Sequence, residues 1–361
     1  MELRFRDKLG SILLYLGVQS FLRFVTINPE WANIRVTMKC NSRCTTCYAW
    51  KRIPQEDELS TEELKDALSQ IRGLGIRNVI FIGGEPLLRP DIGALAKKAS
   101  TLGFKNIIVV TNGLLLKDKA EELVKNGVTQ ITVSIDGVKE TNDAIRGVSG
   151  SYEKSIRGIQ AVQRLNKAMG RNASVSLSTT ILLNQNVEQI PELIKISKNL
   201  GVNWMFNLLD PNVDIFKGIP FSQLLVGDKE KIDETIDYIK EILRENPELI
   251  SSCEHMLEYA RDYLKGKDRY DFHCIHGYKM VYLGSHGEVY AGCWVLEPVG
   301  NIRVNSLHKI LESEKYREMA KKMYMNECPG CTNRFEPNIA MKHLLSHHLF
   351  CGKQGKKQKT A

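Results

Sequence analysis

The sequence predicts an α/β protein whose parallel strands form a partial (β/α)6 barrel of the TIM type. Apolar runs short enough to be buried strands alternate with segments of helical periodicity over the first 210 residues. Right-handed crossovers between parallel strands turn such a rhythm into a full or partial barrel. Glycine and polar residues follow each strand, at the rim where barrel enzymes carry their sites. We therefore expect the functional groups at the carboxyl ends of the strands.

Six strands are predicted in this region: Ile34–Met38, Asn78–Ile82, Asn106–Val110, Gln130–Ile135, Ser174–Leu182 and Val202–Leu208. The first helix opens with a capping box at Ser60 and Glu63 and runs through Ile71. Further helices are predicted at Ile92–Leu102, Lys117–Lys125, Ser151–Ala168 and Val187–Leu200, and two long polar ones at Lys229–Glu245 and Pro247–Leu264. A hairpin of Lys279–Leu283 with Glu288–Tyr290 and a helix Ser306–Tyr324 follow.

Three cysteines with the spacing C-x3-C-x2-C, Cys40, Cys44 and Cys47, come directly after the first strand. Three thiolates this close suit an iron–sulfur cluster better than tetrahedral zinc, because four cysteines normally ligate [4Fe–4S] and one iron would here lack a protein ligand. The alternative is three buried or zinc-bound thiols. An iron without a protein ligand is a place for chemistry.

This spacing, with Tyr48 directly after the third cysteine, resembles the signature of the radical S-adenosylmethionine (radical SAM) superfamily. The resemblance implies that Cys40, Cys44 and Cys47 hold a [4Fe–4S] cluster. It also implies that S-adenosyl-L-methionine chelates the fourth iron and that Tyr48 lies near the adenine.

The rim residues support the same family. Gly83 and Gly84 let backbone approach a ligand closely, and Glu85 supplies an acceptor beside them. Gly-Gly-Glu-Pro in this position matches the family motif for the methionine amino group, although a strand-ending Gly-Gly is also an ordinary turn. Three further residues match family positions near the cofactor: Asn112, Ser134 and Asp136. Asp136-Gly137 is also typical of an ordinary turn. Arg146 is predicted to pair with the cofactor carboxylate or with a nearby acid.

Four more cysteines predict a second metal site: Cys274, Cys293, Cys328 and Cys331. A hairpin and a helix that deliver four thiolates form a metal scaffold, and composition alone allows zinc. The arrangement resembles the twitch subdomain, a shortened SPASM domain, which implies an auxiliary [4Fe–4S] cluster. Two departures are that Gly287 and Cys293 are one residue farther apart than usual and that the further cysteines of a second SPASM cluster are missing. Cys351, near His347 and His348, is predicted to be a spare thiol, with replacement of one ligand or capping of a cluster as the alternatives. Cys253 is predicted to be a small core residue.

The predicted domains are an amphipathic N-terminal helix (1–28), a radical SAM barrel (29–210), connector and bridging helices (211–267), a twitch/SPASM-like subdomain (268–340) and a basic tail (341–361). The N-terminal stripe favours packing on the barrel or a partner, with a membrane surface or a lipid-like substrate as the alternative. The net charge of +8 is too diffuse to indicate nucleic-acid binding. Nine cysteines, mostly in metal-like clusters, and no apolar run of membrane length predict a cytoplasmic protein.

The resemblance implies an enzyme that cleaves S-adenosyl-L-methionine reductively to a 5′-deoxyadenosyl radical and abstracts hydrogen from a substrate. A reductant such as ferredoxin or flavodoxin would supply the electron, and the auxiliary cluster would take an electron back or ligate substrate. Peptide maturation and small-molecule or lipid-linked modification both remain open. The alternative from another class is an iron–sulfur electron-transfer protein without radical chemistry.

Overall fold

A computed structural model describes residues 27, 29–51, 56–182, 185–210, 212–216, 218–219, 228–267 and 273–329. The described strands form one nine-stranded sheet in the order β6-β5-β4-β3-β2-β1-β7-β8-β9. The predicted N-terminal helix and the basic tail lie outside the described residues, apart from position 27. None of the helices in the described part of the chain has the length and apolar character needed to cross a membrane.

The first six strands are parallel to their neighbours, as expected for a chain that alternates strands and helices. Their bounds are β1 Trp31–Thr37, β2 Asn78–Gly83, β3 Asn106–Thr111, β4 Gln130–Ser134, β5 Ser174–Ile181 and β6 Asn203–Leu208. Among the described strands, β6 forms no ladder with β1, so the barrel is partial, as predicted.

The C-terminal strands extend the same sheet. These are β7 Met280–Leu283, β8 Glu288–Tyr290 and β9 Gly300–Asn301. β7 runs parallel to β1, with Trp31 opposite Met280, and β8 and β9 add antiparallel ladders. The predicted hairpin is therefore correct, and β1 lies at the seam between the barrel and the C-terminal region.

Helices cover the outer face of the sheet and connect its strands. Their bounds are Thr61–Gly73, Ile92–Thr101, Leu116–Lys125, Glu140–Arg146, Ser151–Met169, Ile190–Leu200, Lys229–Glu245, Glu254–Leu264, His276–Lys279, Leu307–Glu312 and Glu314–Tyr324. The first helix has the predicted capping box, because the Ser60 side chain accepts from the N–H of Glu63 and the Glu63 carboxylate accepts from the N–H of Ser60.

Three differences between the predicted helices and the structure have a clear local reason. Ser313 is extended and caps a new helix by accepting from the N–H of Tyr316, so the predicted helix Ser306–Tyr324 is two helices. The second long helix begins at Glu254, because the preceding chain forms a bridge between Ile250 and Trp204. The short helix Glu140–Arg146 was not predicted, since seven residues give little periodicity.

The core lies between the sheet and the helices. Side chains alternate along each strand, and those directed at the helices are buried, such as Ile34, Val79, Phe81 and Val109. On the opposite, concave face the neighbouring positions of β2 and β3, including Ile80 and Ile108, are only half-buried. The concave face is therefore less tightly covered than the face that packs on the helices.

Candidate active site

The cysteine motif lies in the loop after β1, at the carboxyl end of the sheet. The N–H groups of Gly84 and Glu85 donate to the carbonyls of Thr37 and Lys39, both at 2.8 Å. A β-carbon at Gly83 or Gly84 would lie 2.3 Å from the same two carbonyl oxygens. The two glycines thus allow the end of β2 to bind the start of the cysteine loop.

The other side of the loop is attached to the helix Glu140–Arg146. The N–H of Arg43 donates to the Arg146 carbonyl at 3.0 Å, and the N–H of Thr45 donates to the Ile145 carbonyl at 2.9 Å. The loop is held from both sides by backbone bonds, so its three thiols occupy fixed positions.

The three thiols lie in one partly buried loop, in which Cys44 is buried and Cys40 and Cys47 are half-buried. Burial raises the pKa of Cys40 to about 11 and that of Cys47 to about 12, and it also raises the pKa of the buried Cys44. Charge on Cys44 adds to the rise at both neighbours, because the three thiols lie in one short loop. Without a metal they are protonated at neutral pH, so binding a metal displaces their protons.

These residues fit a [4Fe–4S] cluster that takes three protein ligands. In the described part of the chain, no three His, Cys, Asp or Glu side chains are arranged around a single metal ion. Ligands of a cluster need no such arrangement, because each thiolate binds a different iron. The N–H groups of Ser42 and Ala49 lie 3.4 Å from the sulfurs of Cys40 and Cys47 and would donate to the thiolates.

Glu85 is completely buried beside this loop. Its Oε1 accepts from the N–H of Leu87 at 3.0 Å and from the Thr111 hydroxyl at 2.7 Å, while Oε2 accepts from the N–H of Asn112 at 2.7 Å. Burial raises the pKa of Glu85, and these hydrogen bonds oppose the rise. In the structure the carboxylate therefore joins the ends of β2 and β3, and its contact with the methionine amino group stays a prediction.

Asn112 connects the end of β3 to the cysteine loop. Its Nδ2 donates to Oδ1 of Asn41 at 2.7 Å and to the Ser42 hydroxyl at 3.0 Å. Through Asn112, the buried carboxylate of Glu85 supports the residues between Cys40 and Cys44.

Asp136 and Arg146 form an ion pair beneath the loop, with 2.7 Å between Oδ2 of Asp136 and Nη2 of Arg146. The other carboxylate oxygen of Asp136 accepts from the N–H of Thr180 at 2.7 Å. Burial alone would lower the pKa of Arg146, but the charges of Asp136 and Cys44 raise it. Asp136 is thus the nearby acid predicted as one partner of Arg146, and pairing of Arg146 with the cofactor carboxylate stays a prediction. Neither Oδ2 of Asp136 nor Nε of Arg146 has an aligned hydrogen-bond partner among the described residues.

Ser134 and Tyr48 are the remaining residues predicted to lie near the cofactor. Ser134 is half-buried at the end of β4, opposite Ser178 of β5. Tyr48 packs against a small apolar cluster that includes Leu182 and Ile219, and the ammonium of Lys51 lies 3.5 Å above its ring. The contacts of Ser134 and Tyr48 with the cofactor stay predictions.

The second cysteine group is described in part. Cys274 is buried before the helix His276–Lys279, Cys293 is half-buried after β8, and Cys328 is half-buried after the helix Glu314–Tyr324. Cys274 and Cys293 line one small cavity together with Trp294 and Met323. Cys331 and Cys351 lie outside the described residues, so the complete ligand set stays a prediction.

Comparison with known families identifies both regions. A model described as the radical SAM superfamily matches residues 34–196, and one described as a SPASM iron–sulfur cluster-binding domain matches residues 274–332. The chain contains a radical SAM domain followed by a SPASM domain. The first match contains the C-x3-C-x2-C motif and every rim residue described above, and the second contains all four C-terminal cysteines of the predicted cluster.

Relatives of this radical SAM protein include tetrapyrrole-forming enzymes. It is 33% identical over 162 residues to Fe-coproporphyrin III synthase of Methanosarcina barkeri, covering 45% of this chain and 39% of the relative. Pre-heme d1 synthase of Dinoroseobacter shibae is 36% identical over 46% of this chain and 40% of its own length. The chain thus spans about two fifths of these two relatives. AdoMet-dependent heme synthase of Methanosarcina barkeri is 27% identical over 86% of this chain and 93% of its length.

Solved structures confirm the fold of this radical SAM protein. SuiB of Streptococcus suis, bound to precursor peptide SuiA, superposes with a TM-score of 0.65 at 17% identity and covers 84% of this chain and 70% of SuiB. The enzyme anSMEcpe with bound AdoMet and a peptide gives a TM-score of 0.60 at 20% identity, with coverages of 82% and 83%. These likenesses show the shared fold of barrel and C-terminal domain.

Sequence reasoning missed one buried charge in the radical SAM core. Arg35 lies within β1 and is 5% exposed, and both terminal nitrogens donate to Asp214. The available signal was an arginine inside the apolar run Ile34–Met38, because a buried charge needs a partner. The partner, 179 residues away, could not be identified from local sequence.

Proposed function

We propose that this chain is a radical SAM enzyme that abstracts hydrogen from a substrate bound on the concave face of the barrel. The observation that carries the proposal is that Cys40, Cys44 and Cys47 lie in one short loop at the carboxyl rim, which hydrogen bonds hold from both sides. In this proposal Cys40, Cys44 and Cys47 hold a [4Fe–4S] cluster, and one iron is left to S-adenosyl-L-methionine. With both bound, the cofactors supply a reductively generated 5′-deoxyadenosyl radical.

The remaining residues of the site would orient the cofactor and keep water out. Asn112 and Arg146 hold the cysteine loop from opposite sides, while Ser134 and Tyr48 offer a hydroxyl and an aromatic ring to the bound molecule. Oδ2 of Asp136 and Nε of Arg146, which have no aligned hydrogen-bond partner among the described residues, remain able to bond to a polar group. This division assigns positioning to the protein and radical generation to the cofactors.

A second [4Fe–4S] cluster in the C-terminal domain completes the proposal. Cys274, Cys293, Cys328 and Cys331 would all be ligands, which leaves no iron open and favours electron transfer over substrate ligation. A small redox protein such as ferredoxin or flavodoxin would supply the electron that starts the reaction.

The substrate class that we propose is a tetrapyrrole. Support comes from the similarity to AdoMet-dependent heme synthase, which extends over 93% of that enzyme and so includes the C-terminal domain. A tetrapyrrole falls within the small-molecule hypothesis drawn from the sequence. Peptide maturation is the competing hypothesis.

Anaerobic reconstitution followed by turnover with Fe-coproporphyrin III tests both levels of the proposal. We expect 5′-deoxyadenosine to form under reducing conditions and the porphyrin to be consumed in proportion. Cys253→Ala, which removes a buried cysteine outside both predicted clusters, should behave like the unchanged protein. If no 5′-deoxyadenosine forms, the result favours an iron–sulfur electron-transfer protein without radical chemistry. If it forms while the porphyrin stays intact, the tetrapyrrole class is wrong and the radical chemistry stands.

A further inference from the structure

We propose that Arg35 is a positioning residue that fixes the loop of Cys293 against the loop of Cys40, Cys44 and Cys47. The inference rests on the proposed function in one respect, that both loops bind clusters. Arg35 lies in β1 shortly before Cys40, and β1 is the strand between β2 of the barrel and β7 of the C-terminal region. A side chain in this strand can therefore reach both parts of the molecule.

One edge of the Arg35 guanidinium reaches the first loop. Nη1 and Nη2 each donate to a different oxygen of Asp214 at 2.6 Å, a bidentate ion pair. Asp214 begins the short turn Asp214–Phe216, and the Ile215 carbonyl in that turn accepts from the N–H of Tyr48 at 2.8 Å. Tyr48 directly follows Cys47, so the turn Asp214–Phe216 connects Arg35 to the last cysteine of the first loop.

The face of the same guanidinium reaches the second loop. Its central carbon lies 3.8 Å from the centre of the Trp294 ring, within the range of a cation–π contact. Trp294 directly follows Cys293 and also packs against Tyr282 at 4.8 Å and Tyr290 at 5.0 Å. The N–H of Val295 donates to the sulfur of Cys293 at 3.3 Å. The packing of Trp294 thus anchors the chain at the residue next to the Cys293 thiol.

Only a planar guanidinium can make both contacts at once. Its edge carries parallel donors that match a carboxylate, while its face stacks on an aromatic ring. A lysine at this position keeps the charge but loses either the paired donors or the stacking. Because one rigid group holds both loops, movement of one loop is transmitted to the other. Arg35 would therefore set the separation of the two metal sites and, through it, electron transfer between them.

Hydrogen exchange measured by mass spectrometry on the full-length, anaerobically reconstituted protein tests this role with Arg35→Lys. We expect about tenfold faster exchange in residues 40–51 and in residues 290–296. The electron paramagnetic resonance spectrum of the second cluster should change as well. The matched control is Arg261→Lys. Arg261 lies on the helix Glu254–Leu264 and pairs with Asp233 and Asp237 on the helix Lys229–Glu245. That variant should alter exchange in those helices alone.

A second variant tests whether Arg35 acts on the two loops through its contact with Trp294 or whether its replacement loosens the whole fold. Trp294→Leu should accelerate exchange in residues 290–296, and adding Arg35→Lys should cause little further increase there, because both remove one contact. Unchanged exchange in Arg35→Lys, or acceleration confined to residues 40–51, would overturn the inference. The iron content tests the proposed clusters separately. About four irons per chain instead of about eight would contradict the second cluster. The exchange data would still test the positioning role of Arg35.

Discussion

At the residue scale, the site depends on buried polar groups whose partners belong to the fold. Glu85 shows this most clearly, because its carboxylate accepts from two backbone N–H groups and one hydroxyl in a fully buried position. A buried donor that loses its acceptor costs more than the hydrogen bond itself contributed. The rim is therefore sensitive to small changes in acceptor number.

Glu85→Gln tests this dependence with almost no change in volume. The amide offers one acceptor oxygen and directs an N–H group at existing donors, so we expect the free energy of unfolding to fall by about 1–3 kcal/mol. Urea unfolding measures the loss, and 5′-deoxyadenosine formation should fall with it. The control is Glu121→Gln, since Glu121 is exposed and pairs with Lys125. A Glu85→Gln protein as stable as that control would contradict the structural role of the carboxylate.

At the element scale, the helix Thr61–Gly73 connects the barrel to the C-terminal domain. Its N-terminus carries the capping box of Ser60 and Glu63, and Arg303 donates to both Glu63 oxygens at 2.6 and 3.1 Å. Hydrogen bonding to Arg303 lowers the pKa of Glu63 to about 2 from its ordinary value of 4.5. One carboxylate therefore serves the helix and the contact between domains.

Glu63→Gln should destabilise the protein in a pH-dependent way. A carboxyl group whose pKa is lowered on folding stabilises the fold above its unfolded pKa, and this stabilisation is lost as the pH falls toward the folded pKa. Solvent screening at the half-exposed pair limits the loss at pH 7 to about 0.5–1 kcal/mol. Ser60→Ala, which removes the cap alone, should cost about 1 kcal/mol at either pH.

Urea unfolding at pH 7 and at pH 3.5 measures both variants against the unchanged protein. The difference for Glu63→Gln should shrink at the lower pH, while that for Ser60→Ala should stay similar. An equal loss for Glu63→Gln at both values would mean that the ion pair with Arg303 contributes nothing.

At the scale of the whole molecule, one continuous sheet carries two cysteine groups. β7 extends the barrel sheet beside β1, which brings the domain of Cys274 and Cys293 against the strand that leads into Cys40. A shared sheet explains how two metal sites distant in sequence belong to one rigid unit.

Iron analysis after anaerobic reconstitution tests whether the two groups bind clusters independently. We expect about eight irons per chain, and about four both in Cys40→Ala/Cys44→Ala/Cys47→Ala and in Cys328→Ala/Cys331→Ala. Only the first of these variants should lose cleavage of S-adenosyl-L-methionine, because its cysteines hold the cluster proposed to bind that cofactor. Stoichiometric zinc, with iron unchanged in the second variant, would instead indicate a structural zinc site.

The sequence by itself determined the order of strands and helices, the partial barrel and the metal-binding character of both cysteine groups. Hydrophobic periodicity, the capping box at Ser60 and the spacing of Cys40, Cys44 and Cys47 are local properties, so short windows of sequence contain them. Boundaries such as the break at Ser313 were missed, because one serine can continue a helix or cap the next one.

The tertiary structure alone decided which partners the polar side chains have. It directs Glu85 to Thr111 and Asn112, joins Arg146 to Asp136, and brings Arg35 between Asp214 and Trp294. These contacts join residues far apart in the chain, and they depend on strand register and on the paths of loops that local periodicity does not encode. The physical reason is that a buried charge must be satisfied by whichever group the fold brings within reach.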